Sequence, residues 1–271
     1  MNLKVVFIAS LSHSGSTLLD LMLNAHPAMI SVGELKQLGR FARLEKKGRR
    51  RRCTCGAPSV YDCEFWKEVG ALTEASGRHL RELNVEHYAD KESFDRDNVI
   101  LFRSIAEASG KEYVVDSSKH PSRLMLLLQN PQIDIFPVFL LRNPKGQIHS
   151  AQKTPTPLSK LISSYVRTNR EIYGAVRDRP HAVVRYEDLV RSPEATLSGL
   201  MQALGLSFDP RQLDWATPIR HNVGGNGMRR GSSSVLKLDD RWREKLSLVE
   251  KVAIDIGTVP GRYPFLKLGS S

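Results

Sequence analysis

The chain has 271 residues, 41% of them hydrophobic and 25% charged, with no repeats or low-complexity tracts, which suits one large α/β domain or at most two small ones. Its formal charge of +11 points to polyanionic partners: a nucleotide, a nucleic acid, a sulfated or phosphorylated substrate, or an acidic membrane surface. No apolar run approaches the ~18 to 20 residues that span a bilayer, and no small-residue cleavage site follows Lys4, so neither a transmembrane span nor a signal peptide is expected and a cytoplasmic location is the default.

Val5–Ala9 reads as a buried strand that breaks into Ser12-His13-Ser14-Gly15-Ser16-Thr17 and then into an apolar helix, Thr17–Ala25, ended by His26-Pro27. A strand that turns through small hydroxyl residues and one glycine into a helix N-terminus is an anion site. Unpaired N–H groups and the positive end of the helix dipole converge there. Because this site begins almost at the first residue, the chain is expected to open directly on its working domain. Residues 40–90 are charged and glycine-punctuated and are expected to form a cap-like insertion. Within it, Lys46-Lys47-Gly48-Arg49-Arg50-Arg51-Arg52 is either a solvated loop or a surface that attracts an acidic acceptor or lipid headgroup.

The insertion also holds all three cysteines, as Cys53-x-Cys55-Gly56 and Cys63, followed by Glu64-Phe65-Trp66. An odd count argues against a disulfide scaffold. Three thiolates could begin a zinc site, but a structural site takes four ligands, and neither a C-x-x-C pair nor a fourth ligand stands nearby in the sequence. The expectation is therefore a thiol-lined loop anchored by Trp66, without metal.

Phe94–Ser109 reads as a helix closed by Gly110, and Tyr113–Val115 as a second strand that ends in Asp116-Ser117-Ser118-Lys119, followed by a helix over Ser122–Gln129. Ile135–Leu141 is a third strand with Arg142 at its end. Asn143 then caps a helix whose first position is Pro144, where the missing N–H costs nothing. Leu158–Arg177 is a long amphipathic helix and His181–Tyr186 a fourth strand. Ser192-Pro193 opens a helix that ends near Gly205, Asp209-Pro210 opens a short one, and Asp240–Ile256 is the last. Short strands separated by helices imply an α/β fold with a central parallel sheet covered on both faces, whose ligands bind beyond the carboxyl ends of the strands.

Those strand ends carry the unusual polar residues: the Ser12–Thr17 loop, Asp116 to Lys119, Arg142 with Ser150 eight positions on, and Arg185-Tyr186-Glu187-Asp188. On one rim they would supply two separated anion sites, suited to a ligand with phosphates at both ends. The first loop lacks the lysine that a nucleoside-triphosphate P-loop carries immediately before its hydroxyl residue, since Ser16 precedes Thr17. Two rival readings stand beside this one: a nucleotide kinase or phosphohydrolase with an atypical loop, and a basic nucleic-acid-binding module.

In these residues the chain resembles the sulfotransferases that use 3′-phosphoadenosine 5′-phosphosulfate (PAPS), particularly bacterial members and the tyrosylprotein and carbohydrate branches. Three motifs in order carry the resemblance: Ser12-His13-Ser14-Gly15-Ser16-Thr17-Leu18, Ser118-Lys119-His120-Pro121, and Phe139-Leu140-Leu141-Arg142-Asn143-Pro144 with Ser150. It implies a P-loop-type three-layer fold forming one domain over 1–271, without a metal. It implies that residues 12–18 hold the 5′-phosphosulfate, Arg142 and Ser150 the 3′-phosphate, and that Tyr186 touches the nucleotide. Lys119 would stabilise the transferring sulfonate or the departing oxygen, and His13, which stands where many relatives carry arginine or lysine, would donate to the phosphosulfate. Glu34, in Val32-Gly33-Glu34, would take the proton from an acceptor hydroxyl or amine. An exposed glutamate with a pKa near ~4.3 is a poor base, so that role requires a desolvated Glu34; His120 is the alternative base. Met228-Arg229-Arg230-Gly231 resembles a segment that folds over the 3′-phosphate, and with Gly224-Gly225-Asn226-Gly227 before it implies a lid over about 220–240.

Overall fold

The computed structural model describes residues 3–43, 51–86, 88–152, 155–231 and 233–259. Most of the basic run at 46–52, and Phe265, expected to anchor the core or the lid, lie outside them. The strands are β1 (Leu3–Ala9), β2 (Met29–Ser31), β3 (Tyr113–Lys119), β4 (Ile133–Leu141) and β5 (Ala182–Arg185), in one parallel sheet of order β2-β3-β1-β4-β5. Helices flank the sheet, as the P-loop-type three-layer expectation requires. The strand order changes direction at β1, so the ligand crevice of such a sheet lies outside the carboxyl end of β1, where the Ser12–Ser16 loop begins.

The fifth strand, β2, is an addition to the four expected. It has three residues, too few to show a period of two, and it is recognised only through its register on β3, with Ile30 opposite Val114. β3 runs four residues beyond its apolar part, because its polar end is satisfied internally. Asp116 Oδ1 accepts from the Ser118 N–H at 2.9 Å, and Asp116 Oδ2 accepts from Arg123 Nε at 2.9 Å. Arg123 itself is fully buried and donates onward to the Val85 carbonyl and to Asn98 Oδ1.

Two compact units make up the chain. The first comprises residues 1–8, 17–136 and 209–234. Its core is the apolar run of β1 and helix α1 (Ser16–Asn24), where Val6, Phe7, Ile8, Leu19 and Leu21 are wholly buried. It also holds α2 (Leu38–Ala42), α3 (Glu64–Ala75), α4 (Lys91–Ser109) and α5 (Pro121–Leu127), with α3 packed on α4. Gly110 closes α4 in the left-handed conformation at φ +63°, the expected terminator.

The second unit comprises residues 9–16, 137–208 and 235–271. β4 and β5 pair from Val138 opposite Ala182 to Leu141 opposite Arg185. Asn143 Oδ1 accepts from the Lys145 N–H at 3.0 Å and Pro144 takes the first position of α6 (Pro144–Ala151), as the sequence predicts. α7 (Leu158–Val176), α8 (Tyr186–Arg191) and α9 (Pro193–Ala203) follow. Tyr186 opens α8 rather than ending the strand. The single helix expected over Asp240–Ile256 is two, α10 (Trp242–Lys245) and α11 (Leu248–Gly257). Ser247 restarts the chain by a capping box with Glu250, each side chain bonding the other's backbone N–H.

Candidate functional site

In the second unit the opening loop is held from behind. Arg142 Nη1 donates to the His13 carbonyl at 2.8 Å, and Gln147 Nε2 donates to the Ser12 carbonyl at 2.8 Å. Ser14 and Ser16 are buried while Ser12 and His13 are exposed. His13 sits at φ +67° and Gly15 at φ +94°. Gly15 is required here, because a Cβ would stand 2.5 Å from Cδ2 of Tyr186. The Tyr186 ring thus packs closely on the loop at Gly15, and the Arg142 guanidinium stands 4.5 Å from the ring centroid.

Arg142 is 7% exposed. Its Nη1 donates to Ser150 Oγ at 3.2 Å, so the spacing of eight read in the sequence does bring the pair together. An anion occupies them: Asp239 Oδ2 accepts from Arg142 Nη2 at 3.1 Å and from Ser150 Oγ at 3.4 Å. The Asp239 N–H in turn donates to the Tyr186 hydroxyl at 3.2 Å. Arg241 first, then Arg142, hold the Asp239 carboxyl far below the usual carboxylate range. Asp239 and Gln147 escaped the sequence reading. Nothing marks Asp239 among the acidic residues of a polar segment, and Gln147 shares a helix with Ser150 without belonging to a motif.

The first unit holds the expected acid–base group. Glu34 is 6% exposed, meeting the desolvation its role requires. Its Oε1 accepts from Lys119 Nζ and, at 3.1 Å, from the Gly225 N–H, and its Oε2 accepts from Gln37 Nε2 at 2.5 Å. Lys119 lies at φ +70°, a strained conformation for a lysine at a strand end and one that accumulates at functional sites. The strap behind Glu34 is a short parallel bridge. The Glu34 N–H donates to the Val223 carbonyl and the Val223 N–H to the Val32 carbonyl, each at 2.7 Å. Asn222 Nδ2 donates to Asp20 Oδ2 at 2.8 Å, and Asp20, wholly buried, also accepts from Ser31 Oγ. Burial pushes the Asp20 carboxyl up to about 6. Thr17 and Leu18 are buried at the start of α1, and Thr17 Oγ1 accepts from the Asn226 N–H at 3.4 Å.

Arg229 and Arg230 lie in a short 3₁₀ turn over Gly227–Arg230 that Gly231 ends. With Arg51, Arg52 and Phe41 they line a cavity of about 460 Å³. Arg229 Nε and Nη1 are buried and lack a hydrogen-bond partner among the described residues, and burial lowers its guanidinium pKa. A half-buried guanidinium with unused buried donors beside three further arginines is a donor arrangement suited to an anionic group. Elsewhere in this unit His120, the alternative base, is exposed at the start of α5, and His26 is buried with Nδ1 accepting from the Ala28 N–H at 3.1 Å. The latter is a satisfied structural histidine. Trp215 is buried, whereas Trp242, in the second unit, is a half-exposed platform with Lys145 Nζ 5.6 Å from its ring.

One expectation is corrected. The cysteines do have a fourth ligand-type neighbour: Cys53, Cys55, Cys63 and His221 place their ligand atoms within 4.8 Å of one another. His221 lies 158 residues beyond Cys63, outside any local spacing rule. The Cys63 thiol is drawn down to about 4, chiefly because Cys53 donates to it, with His221 assisting.

Comparison with known proteins agrees with this geometry. Among solved structures, the sulfotransferase domain from the Synechococcus PCC 7002 olefin synthase superposes with a TM-score of 0.59 at 21% identity, covering 93% of this chain and 92% of that one. The sulfotransferase domain from the curacin biosynthetic pathway gives 0.58 at 19% identity, covering 96% and 98%. These likenesses establish the fold. Among curated proteins, human carbohydrate sulfotransferase 6 is 24% identical over 151 residues, 44% of this chain and 38% of the relative. Mouse carbohydrate sulfotransferase 4 is 25% identical over 156 residues, 47% of this chain and 40% of the relative. The chain thus spans about two fifths of the length of the curated relatives it matches. Residues 5–210, well over half of the chain, match the family described as the sulfotransferase family, and the chain belongs to that family.

Proposed function

We propose that this chain transfers a sulfonate group from PAPS to the hydroxyl or amine of an acceptor. The observation that carries this reading is the buried Arg142–Ser150 pair already gripping a carboxylate, beside a loop whose carbonyls are tied back by Arg142 and Gln147. In this reading the 3′-phosphate takes the place of the Asp239 carboxylate. The 5′-phosphosulfate is held by residues 12–18, with N–H groups and hydroxyls at the start of α1, and Tyr186 packs against the nucleotide.

The acceptor oxygen forms a bond to sulfur as the bond between sulfur and the bridging phosphate oxygen breaks. The acceptor proton passes to Glu34, and the electron pair of the broken bond leaves on the 3′,5′-bisphosphate. Positioning and charge stabilisation do most of the work in such a transfer. Lys119 supplies the cation for the sulfonate or the departing oxygen, and His13 donates to the phosphosulfate. The four arginines around the 460 Å³ cavity favour an acceptor that itself carries negative charge, such as an acidic or already sulfated carbohydrate. Action in the cytoplasm by one domain over 1–271, with no nucleic-acid partner, completes the proposal.

Isothermal titration tests it. The 3′,5′-bisphosphate of adenosine is expected to bind roughly 10- to 100-fold more tightly than adenosine 5′-monophosphate, the worth of about 1.5–3 kcal/mol from a charge-assisted hydrogen bond. Equal affinities would remove the second anion site and the reading with it.

A further inference from the structure

The three cysteines play no part in sulfonate transfer, yet the fold gathers them around a histidine from the far end of the first unit. We infer that Cys53, Cys55, Cys63 and His221 form a structural zinc site that staples the segment 53–63 to the strap behind Glu34. Four observations carry this. The ligand set is three thiols and one imidazole, the soft donors that select zinc in a closed four-coordinate site. The spacing matches: Cys55 Sγ and Cys63 Sγ are 3.6 Å apart, and Cys63 Sγ is 3.1 Å from His221 Nδ1. A tetrahedron with Zn–S of ~2.3 Å and Zn–N of ~2.0 Å has edges of about 3.8 Å and 3.5 Å. Contraction of the second edge is what attraction between a thiol and an imidazole produces before a metal holds them apart.

The supporting shell is also in place. Cys63 caps the N-terminus of α3, where the helix dipole favours a thiolate. His221 is fixed by Trp66 Nε1, which donates to its carbonyl at 2.8 Å, and by Phe65, stacked on its ring at 4.7 Å. Gly56, at φ +100°, turns the chain back so that the Cys53 N–H reaches the Ala57 carbonyl at 3.0 Å, folding Cys53 and Cys55 into one knuckle.

The strap is a direct continuation of the site. Thr54 Oγ1 donates to the Arg220 carbonyl at 2.7 Å and accepts from the Asn222 N–H at 2.8 Å. Asn222, Val223 and Gly225 then make the contacts to Asp20, Val32 and Glu34 described above. A metal at His221 therefore ties one end of the strap, and Glu34 is braced by the other. Closing so long a loop through a metal removes chain entropy from the unfolded state.

The test uses the full chain and does not depend on sulfonate transfer. Chain purified under reducing conditions from zinc-supplemented cells is expected to hold one zinc per chain by elemental mass spectrometry. After mild chelation, Co²⁺ added in place of zinc should give thiolate-to-metal charge-transfer absorption and the intense d–d bands of a tetrahedral ion. Cys55→Ser, at the exposed ligand, should weaken zinc retention by roughly 10- to 100-fold while far-ultraviolet circular dichroism stays native. If that variant fails to fold, the Co²⁺ spectrum of the unmodified chain still decides. No metal above background together with no Co²⁺ band, or a Cys55–Cys63 disulfide in chain trapped with alkylating reagent at lysis, overturns the site.

Discussion

Replacing Asp239 with asparagine should tighten nucleotide binding, which is an unusual expectation for a substitution at a binding site. Asp239 lies against Arg142 and Ser150 and, on the proposed reading, must leave before a 3′-phosphate can enter. The contact to Arg142 is a charge-assisted pair, 6% and 22% exposed on its two sides, so solvent screens it only in part. Such a hydrogen bond is worth about 1.5–3 kcal/mol, and asparagine retains roughly half of it as a neutral acceptor. The net relief is about 1 kcal/mol, a fall of roughly 5- to 10-fold in the Kd of the 3′,5′-bisphosphate. Adenosine 5′-monophosphate, which has no 3′-phosphate to compete, should bind the variant and the parent alike. Titration calorimetry of both ligands on both proteins makes the comparison at constant ionic strength. An unchanged or weaker bisphosphate affinity in Asp239→Asn would refute the idea that this carboxylate holds the phosphate's place.

Other outcomes follow from the same geometry. Glu34→Ala should leave bisphosphate affinity unchanged and lower turnover by about 10²- to 10⁴-fold, the usual contribution of a general base; a variant with nearly full activity would end the role of Glu34. Gly15→Ala puts a Cβ 2.5 Å from the Tyr186 ring at φ +94°, so it should lower Tm by several degrees, an effect of about 1–3 kcal/mol, and abolish detectable bisphosphate binding. The Asp20 carboxyl, pushed up to about 6 by burial, binds its proton more tightly in the folded chain than in the unfolded one. Its contribution is therefore greatest below pH ~4 and fades as pH rises to 6, a loss on the order of 3 kcal/mol. Asp20→Asn should flatten that part of the denaturation-against-pH profile, and a parallel pair of profiles would show that Asp20 titrates normally.

Much of the fold is written in local pattern. The apolar runs Val5–Ala9 in β1 and Ile135–Leu141 in β4, the Asn143-Pro144 start of α6 and the glycine that ends α4 each depend on neighbours a few residues away, and each is legible without tertiary knowledge. β2 is not, because three residues show no period, and the break at Ser247, where a single helix is expected, is marked locally only by its Ser-x-x-Glu cap. Glu34 was reached through resemblance, since nothing local distinguishes it from any other carboxylate.

The chain's residues alone determined the parallel α/β class, the hydroxyl-rich turn after β1 and the Arg142–Ser150 spacing, because strand, turn and helix periods set all three within short windows. Only the folded chain decided that Asp239 answers Arg142, that Asn222 and Gly225 brace Asp20 and Glu34, and that His221 joins the cysteines. These partners are separated by 97 to 202 residues. Their encounter is set by which segments the sheet and its helices bring side by side, and no periodicity in a single chain encodes that.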